Sequence, residues 1–467
     1  MISPDSKDAL RRTIPMIAVL SLAPVLWGSC AFAGSLKVQL PSIQGTWRIV
    51  ETTTELREKP SYFQSGFSLP AGAAELSLED GQALCYITPK RDASETEIKG
   101  LTGIPRLVCV IVEGSSRPSG SVWDAIMSLT SVEAIIVRGD CGSGSPGKFS
   151  SNISVFCSIN CSPGSAPILA CLAGLASLEV VSIGTQLSSV SDENSIEFHK
   201  YQLGAEASAL LGKLRKLRHL RINHISLPRG SLRVSVQVTS LELAGCALFE
   251  DCFEEIAAIN ALRSLSVADS DLSGSGVGAL TALKELSDLT LTGENLNPEL
   301  VVRAASELAN LQSLTLIHFR KLRGEHFSWF KESNKLKHLA LISCVGLQDD
   351  VLGKLAGLPL LESLGFRGSK EITSDGIKAL QHLKYLKQLD FAYCSSLSDT
   401  ALSEIVKLST VEEIDLSCIS SITLGGIEHL LKGGSIKRIV VVGCDQLGRE
   451  KLRQLESSKA GLTIVSD

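Results

Sequence analysis

The sequence predicts an α/β solenoid, a stack of short strand, turn and helix units with a parallel sheet along one side. Three observations lead there. Segments beginning at Leu262, Leu286, Leu311, Leu336, Leu361, Leu386, Val411 and Ile436 follow one another at 24 and then 25 residues throughout, and a fixed period in this range marks stacked units. Apolar residues return at the first, fourth and sixth places, as in Leu386, Leu389 and Phe391, and the fourth and sixth alternate as in a strand with one buried face. An apolar residue at place twelve (Leu347, Ile372, Leu397, Ile422, Leu447) then leads into Ser, Thr or Asp and into apolar residues three apart, such as Leu402, Ile405 and Leu408. That is a capped helix laying one stripe on a core. No unit can bury its apolar face without its neighbours.

The regions before these units read differently. Residues 1–33 combine Lys7, Arg11 and Arg12 with the apolar run "IPMIAVLSLAPVLWG" and then Ala31-Phe32-Ala33, the pattern of a secretory signal peptide cleaved after Ala33. A membrane anchor is the alternative, but the run is short and carries Pro15 and Pro24. Residues 34–100 hold strand-like "AAELSLED" and "ALCYITP" behind "IQGTWRIVE". Gly45-Thr46-Trp47 is similar to the opening of small lipocalin-like β domains, yet too few strands follow to close a ligand-holding barrel. A small β cap over the first repeat is the expectation. From residue 101 to 237, "VEAIIVRGD", "LEVVSIGTQ" and "LRHLRINHI" keep the spacing of the strands with irregular insertions, and 238–467 is regular.

The segments "LKQLDFAYCSSLSDTALSEIVKL" and "LKHLALISCVGLQDDVLGKLAGL" are similar nearly throughout to the cysteine-containing subtype of leucine-rich repeats, LxxLxLxxCxxLTDxGLxxLxxL. The match is strong from about Val238 to the end. The resemblance implies a curved solenoid with its parallel sheet on the concave face and short helices on the convex face. It also implies protein binding as the usual work. Many repeats of this subtype occur in F-box proteins, so a substrate adaptor of a ubiquitin ligase is the alternative if the N-terminus is not a signal peptide.

Cys246, Cys344, Cys394 and Cys444 share place nine, and Cys418 falls one residue early. With strands about 4.8 Å apart, place-nine cysteines two units apart stand roughly 10 Å from each other, beyond the ~7 Å reach of a disulfide. They are expected to be buried structural thiols facing backbone. Cys141, Cys157, Cys161 and Cys171 lie instead in a Gly, Ser and Pro-rich stretch near 139–171 without a repeat pattern, which in an exported chain reads as two disulfides of open pairing. No His accompanies them and no paired CxxC spacing appears, so no metal is expected.

A formal charge of −5, or −6 once three basic and two acidic groups leave with residues 1–33, argues against nucleic acid as the principal partner. No later run approaches the ~20 apolar residues of a spanning helix. "GSGSPGK" (142–148) fits part of a phosphate loop, but Phe149 stands where Ser or Thr would hold magnesium. GxSxG, HExxH and EF-hand patterns are absent, so neither catalysis nor a cofactor is expected.

What remains is the outward face of the strands. It turns from small and hydroxyl-bearing to charged and aromatic between the units at 336 and 436. There Arg367, Gln388, Asp390, Tyr393, Glu413, Asp415 and Arg438 are candidate contacts for another protein. Glycan or cell-wall polymer on the same face is a second reading, weakened by the poor supply of aromatics. The compartment expected is secreted or periplasmic.

Overall fold

The structure, a computed structural model, describes residues 36–40, 46–51, 75–78, 82–88, 94–113, 120–132, 134–138, 155–159, 177–184, 203, 209–234, 237–249, 251–268, 270, 275–293, 295–330, 335–355 and 358–466. They fall into two compact units, one of residues 27–262 with 267–272, the other of 263–266 with 273–467.

In the first unit Leu36–Gln39 pairs antiparallel with Glu75–Leu78, and Thr46–Glu51 pairs antiparallel with Gln82–Ile87. From Gln82–Ile87 onward every step is parallel: Leu107–Glu113, Ala134–Arg138, Val155–Ile159, Val180–Gly184, His219–Asn223 and Ser240–Ala244. The parallel ladder therefore begins one strand before residue 101, and residues 94–100 already form its first crossover. Ser94 and Glu97 cap each other's backbone at the start of the helix Glu95–Lys99, a reciprocal box that needs a hydroxyl and a carboxylate three apart.

Val155–Ile159 lies inside the Gly, Ser and Cys-rich stretch that shows no repeat pattern in the sequence, yet it is a full rung of the ladder. Cys157 sits at its centre; Cys141, Cys161 and Cys171 lie outside the described residues.

The second unit is regular. Asp288–Thr292, Ser313–Ile317, His338–Ile342, Ser363–Gly365, Gln388–Asp390, Glu413–Asp415, Arg438–Val440 and Thr463–Val465 pair in parallel, each with the next. Leu289, Leu314, Leu339, Leu364, Leu389, Ile414 and Ile439 form one continuous row in register, each at most 2% exposed. A row this dry is what places an apolar sheet of short strands on a helical layer. That layer includes Pro298–Ser306, Asp350–Leu355, Asp399–Ile405, Leu424–Lys432 and Arg449–Ser458. Gly324–Trp329 and Lys378–His382 in the same layer are 3-10 helices. This is the leucine-rich repeat fold.

Two backbone devices turn each unit. At place eight the chain is left-handed: His318, Ser343, Gly368, Tyr393, Cys418 and Gly443 have φ between 51° and 76°. From each of the first five, the N–H donates to the place-seven carbonyl of the following unit, for example Tyr393 N to Ser417 O at 2.9 Å and Cys418 N to Val442 O at 2.9 Å. Cys418 is thus one residue early because it occupies the left-handed corner, not the buried place nine.

At the helix starts, Thr373 and Thr423 accept from their own helix N–H groups and donate to a carboxylate of the preceding unit, Asp349 at 2.6 Å and Asp399 at 2.6 Å. The same carboxylates accept from the threonine N–H at 2.8 and 2.9 Å. Glycine stands opposite, at Gly376 and Gly426, because a Cβ there would run into the Asp349 or Asp399 carboxylate. Asp399→Ala and Thr423→Val are expected to be non-additive, with a coupling of about 1 kcal/mol in urea denaturation of the single and double variants. Strict additivity would mean that the link adds nothing.

Candidate protein-binding face

The sheet face of the second unit carries two sets of side chains that differ in what they are committed to. Arg367, at place seven, reaches over the next two rungs. Its Nε donates to Asp390 Oδ2 at 3.2 Å and its Nη2 to Asp415 Oδ2 at 2.8 Å, and its guanidinium lies 5.8 Å from the Tyr393 ring centroid. The other oxygen of each carboxylate is also filled: Asp390 Oδ1 accepts from Ala392 N at 3.0 Å and Asp415 Oδ1 from Ser417 N at 2.9 Å. The side chains of Arg367, Asp390 and Asp415 are only 11%, 26% and 20% exposed. Burial pushes the Asp390 carboxyl up from the ordinary range, Arg367 pulls it down and neighbouring Asp415 pushes it up again, with the net direction upward.

These four residues were candidate anchors in the sequence. The structure brings all four together but turns Arg367, Asp390 and Asp415 on one another. Arg367 is nearly buried and its fork is occupied, and the cluster is a clamp joining three successive units. Fork geometry of this kind suits arginine alone.

Gln388, Glu413 and Arg438, at place three, form the other set. They are register partners on three consecutive strands. Gln388 and Arg438 are exposed and Glu413 half-buried. Among the described residues no hydrogen bond or ion pair engages their side chains. Uncommitted amide, carboxylate and guanidinium groups at one-rung spacing are what a partner could use.

Beside this row, at place two, runs an alternating column that sequence reading missed. Lys337, Glu362, Lys387, Glu412 and Lys437 follow one another on successive strands. Glu362 meets Lys337 at 2.9 Å and Lys387 at 3.5 Å, and Lys437 meets Glu412 at 2.8 Å. The lysine at 2.9 Å holds the Glu362 carboxyl below its usual range. The same alternation governs Asp349 and Asp399 against Thr373 and Thr423, and Cys344, Cys394 and Cys444 against Ser369 and Ile419. Comparing every second unit, a period of 50 residues, would have found it.

The place-nine thiols are buried and point at backbone. Cys344 donates to Leu316 O at 3.5 Å, Cys394 to Phe366 O at 3.0 Å and Cys444 to Leu416 O at 3.4 Å, in each case the place-six carbonyl of the preceding unit. Cys246 does the same to Ile222 O at 3.2 Å. Burial pushes Cys246 to about 11 and Cys344 and Cys394 to about 12, so little thiolate exists to react. Cys418 is part-exposed. Iodoacetamide at pH 8 is expected to label Cys418 before Cys246, Cys344 and Cys394 in the native protein, these three being labelled only after unfolding, as read by peptide mass. Equal labelling of all four would contradict the packing.

No family model matches the chain, and no curated protein matches it. Among solved structures it is similar to a leucine-rich repeat protein of Leptospira interrogans, at 17% identity over 80% of this chain and 93% of that one, with a TM-score of 0.43. It is also similar to a chain of the yeast Rad7 and Elc1 complex, at 13% identity over 77% of this chain and 80% of that one, with a TM-score of 0.44. The fold assignment rests on the ladder itself. Among the described residues no helix is long and apolar enough to cross a membrane, and no group of three or more His, Cys, Asp or Glu could hold a metal ion.

Proposed function

We propose that the protein is a non-catalytic, secreted or periplasmic scaffold that docks another protein on the sheet face of its second unit. One observation carries the reading: Gln388, Glu413 and Arg438 stand uncommitted in a row on strands that the Arg367 clamp, the Lys and Glu column and the threonine links hold in place. A face held this way loses little conformational entropy when a partner docks. Tyr393, just past the end of the row's first strand and beneath Arg367, supplies an aromatic border.

The adaptor alternative places a helical bundle ahead of the repeats, whereas the described residues between 36 and 88 are strands, which favours the scaffold reading. The test is site-specific photocrosslinking, with benzoylphenylalanine at Gln388 or Arg438 on the sheet face and at Glu428 on the helical layer, in cells that make the protein. Discrete adducts from the first two positions and none from the third are expected. Adducts from Glu428 alone would move the docking surface to the helices.

A further inference from the structure

We propose that Cys85 and Cys109, not bridged in this structure, form a disulfide under oxidising conditions that staples the first parallel crossover of the ladder. The strands Gln82–Ile87 and Leu107–Glu113 are hydrogen-bonded neighbours, and Cys85 and Cys109 are partners in their register. Both are fully buried, in one apolar cluster with Ala83, Ile87 and Ile111. Register partners on adjacent strands lie about 4.8 Å apart, inside the ~4.4–6.8 Å Cα range of disulfides. This contrasts with the place-nine cysteines of the second unit, which stand two strands apart.

The pairing also carries an irregularity at the right place. Leu84 pairs with Leu107 but Cys85 pairs with Cys109, so Val108 is an extra residue between the two pairs. A bulge of this kind bends the strand and re-aims its side chains, here beside the two thiols. The crossover they would close holds the 23 residues 86–108, including the helix Glu95–Lys99.

The location gives the staple a purpose. This is the first parallel step of the ladder, and its outer neighbour is the antiparallel strand Thr46–Glu51. End units have a neighbour unit on one side only and open first. A covalent link there limits the freedom of the unfolded chain and holds the end closed.

The chemistry needs a disulfide oxidant, for which oxidised glutathione is the probe. One deprotonated thiol attacks its sulfur–sulfur bond and releases one glutathione thiolate. The second thiol of the pair, deprotonated, then displaces the other glutathione. Two protein thiols are oxidised to one disulfide as one glutathione disulfide is reduced to two thiols, the two protons passing from the protein thiols to the glutathione thiolates.

The full chain would be refolded with oxidised and reduced glutathione at pH 8, alkylated with N-ethylmaleimide under denaturing conditions and cut with trypsin. Cys85 and Cys109 fall on separate peptides, 58–90 and 107–138, each with no other cysteine. A linked pair of these peptides is expected, absent from the Cys85→Ala and Cys109→Ala variants, with the oxidised wild type melting several degrees above its reduced form. Both peptides carrying the maleimide in the wild type, or either linked to a third cysteine, would overturn the proposal.

Discussion

Replacing Arg367 by methionine is expected to destabilise the second unit by about 3 kcal/mol, the lower end of what breaking a buried ion pair costs, because the carboxylates keep some exposure. The methionine fills most of the volume but leaves Asp390 and Asp415 facing each other across adjacent strands with no cation between them. The loss should depend on pH, and its sign follows from Asp390. A carboxyl whose folded pKa lies above its unfolded value of about 3.9 contributes stability that is full below that value and is lost as pH rises through the folded one. Burial already raises Asp390 with the arginine present, and removing Arg367 takes away the group that lowers it. The variant should therefore approach wild type near pH 4 and fall furthest behind at pH 7. The triple variant Arg367→Met, Asp390→Asn, Asp415→Asn should recover most of the loss at pH 7, since its amides carry no charge and can still accept from Ala392 N and Ser417 N. Urea denaturation followed by circular dichroism reads all three. A single variant with wild-type stability at pH 7 would mean that solvent already screens the cluster.

Phe391→Ala should cost about 3–5 kcal/mol, the range for deleting a buried aromatic ring. Phe391 and Phe366 occupy place six on neighbouring units with ring centroids 6.0 Å apart and planes within 10°, both fully buried. The cavity cannot collapse easily, because ladder hydrogen bonds on both sides fix the strand spacing. Leu316, Leu341 and Leu416 hold the same place in other units, so Phe391→Leu should cost well under half as much. Equal losses for alanine and leucine would point to a specific need for the ring and against simple layer packing. Repeat units couple chiefly to their neighbours, so the alanine variant should also broaden the urea transition.

The regular half of the fold is legible in the sequence because one rule, apolar at places one, four, six and twelve, is repeated with a constant period from Leu286 onward. The first unit hides its rungs. Its strands start at 82, 107, 134, 155, 180, 219 and 240, so no single period aligns them, and "VFCSI" within a Gly and Ser-rich stretch gives only a period-two hint. The face residues divide differently. Sequence position is enough to place Gln388, Glu413 and Arg438 in one row, because register follows from the period. The fate of Arg367 depends on a side chain reaching across two strands, and a list of outward places cannot tell a clamp from an anchor. Cys418 is a similar case: its shift by one place becomes meaningful only once place eight is seen to be left-handed in its neighbours as well.

The proposed docking rests on a division of labour, in which the Arg367 clamp supports the face and the Gln388, Glu413 and Arg438 row meets the partner. The most direct measurement compares crosslinked adduct yield from Ser363, beside the row, in two backgrounds. One exchanges the row's charges, Glu413→Arg with Arg438→Glu. The other is the neutral clamp, Arg367→Met with Asp390→Asn and Asp415→Asn. Loss of the adduct is expected in the charge-exchanged row with melting temperature unchanged, and retention of the adduct in the neutral clamp. Retention in the exchanged row with loss in the folded neutral clamp would contradict it and return Arg367, Asp390 and Asp415 to the role of contacts.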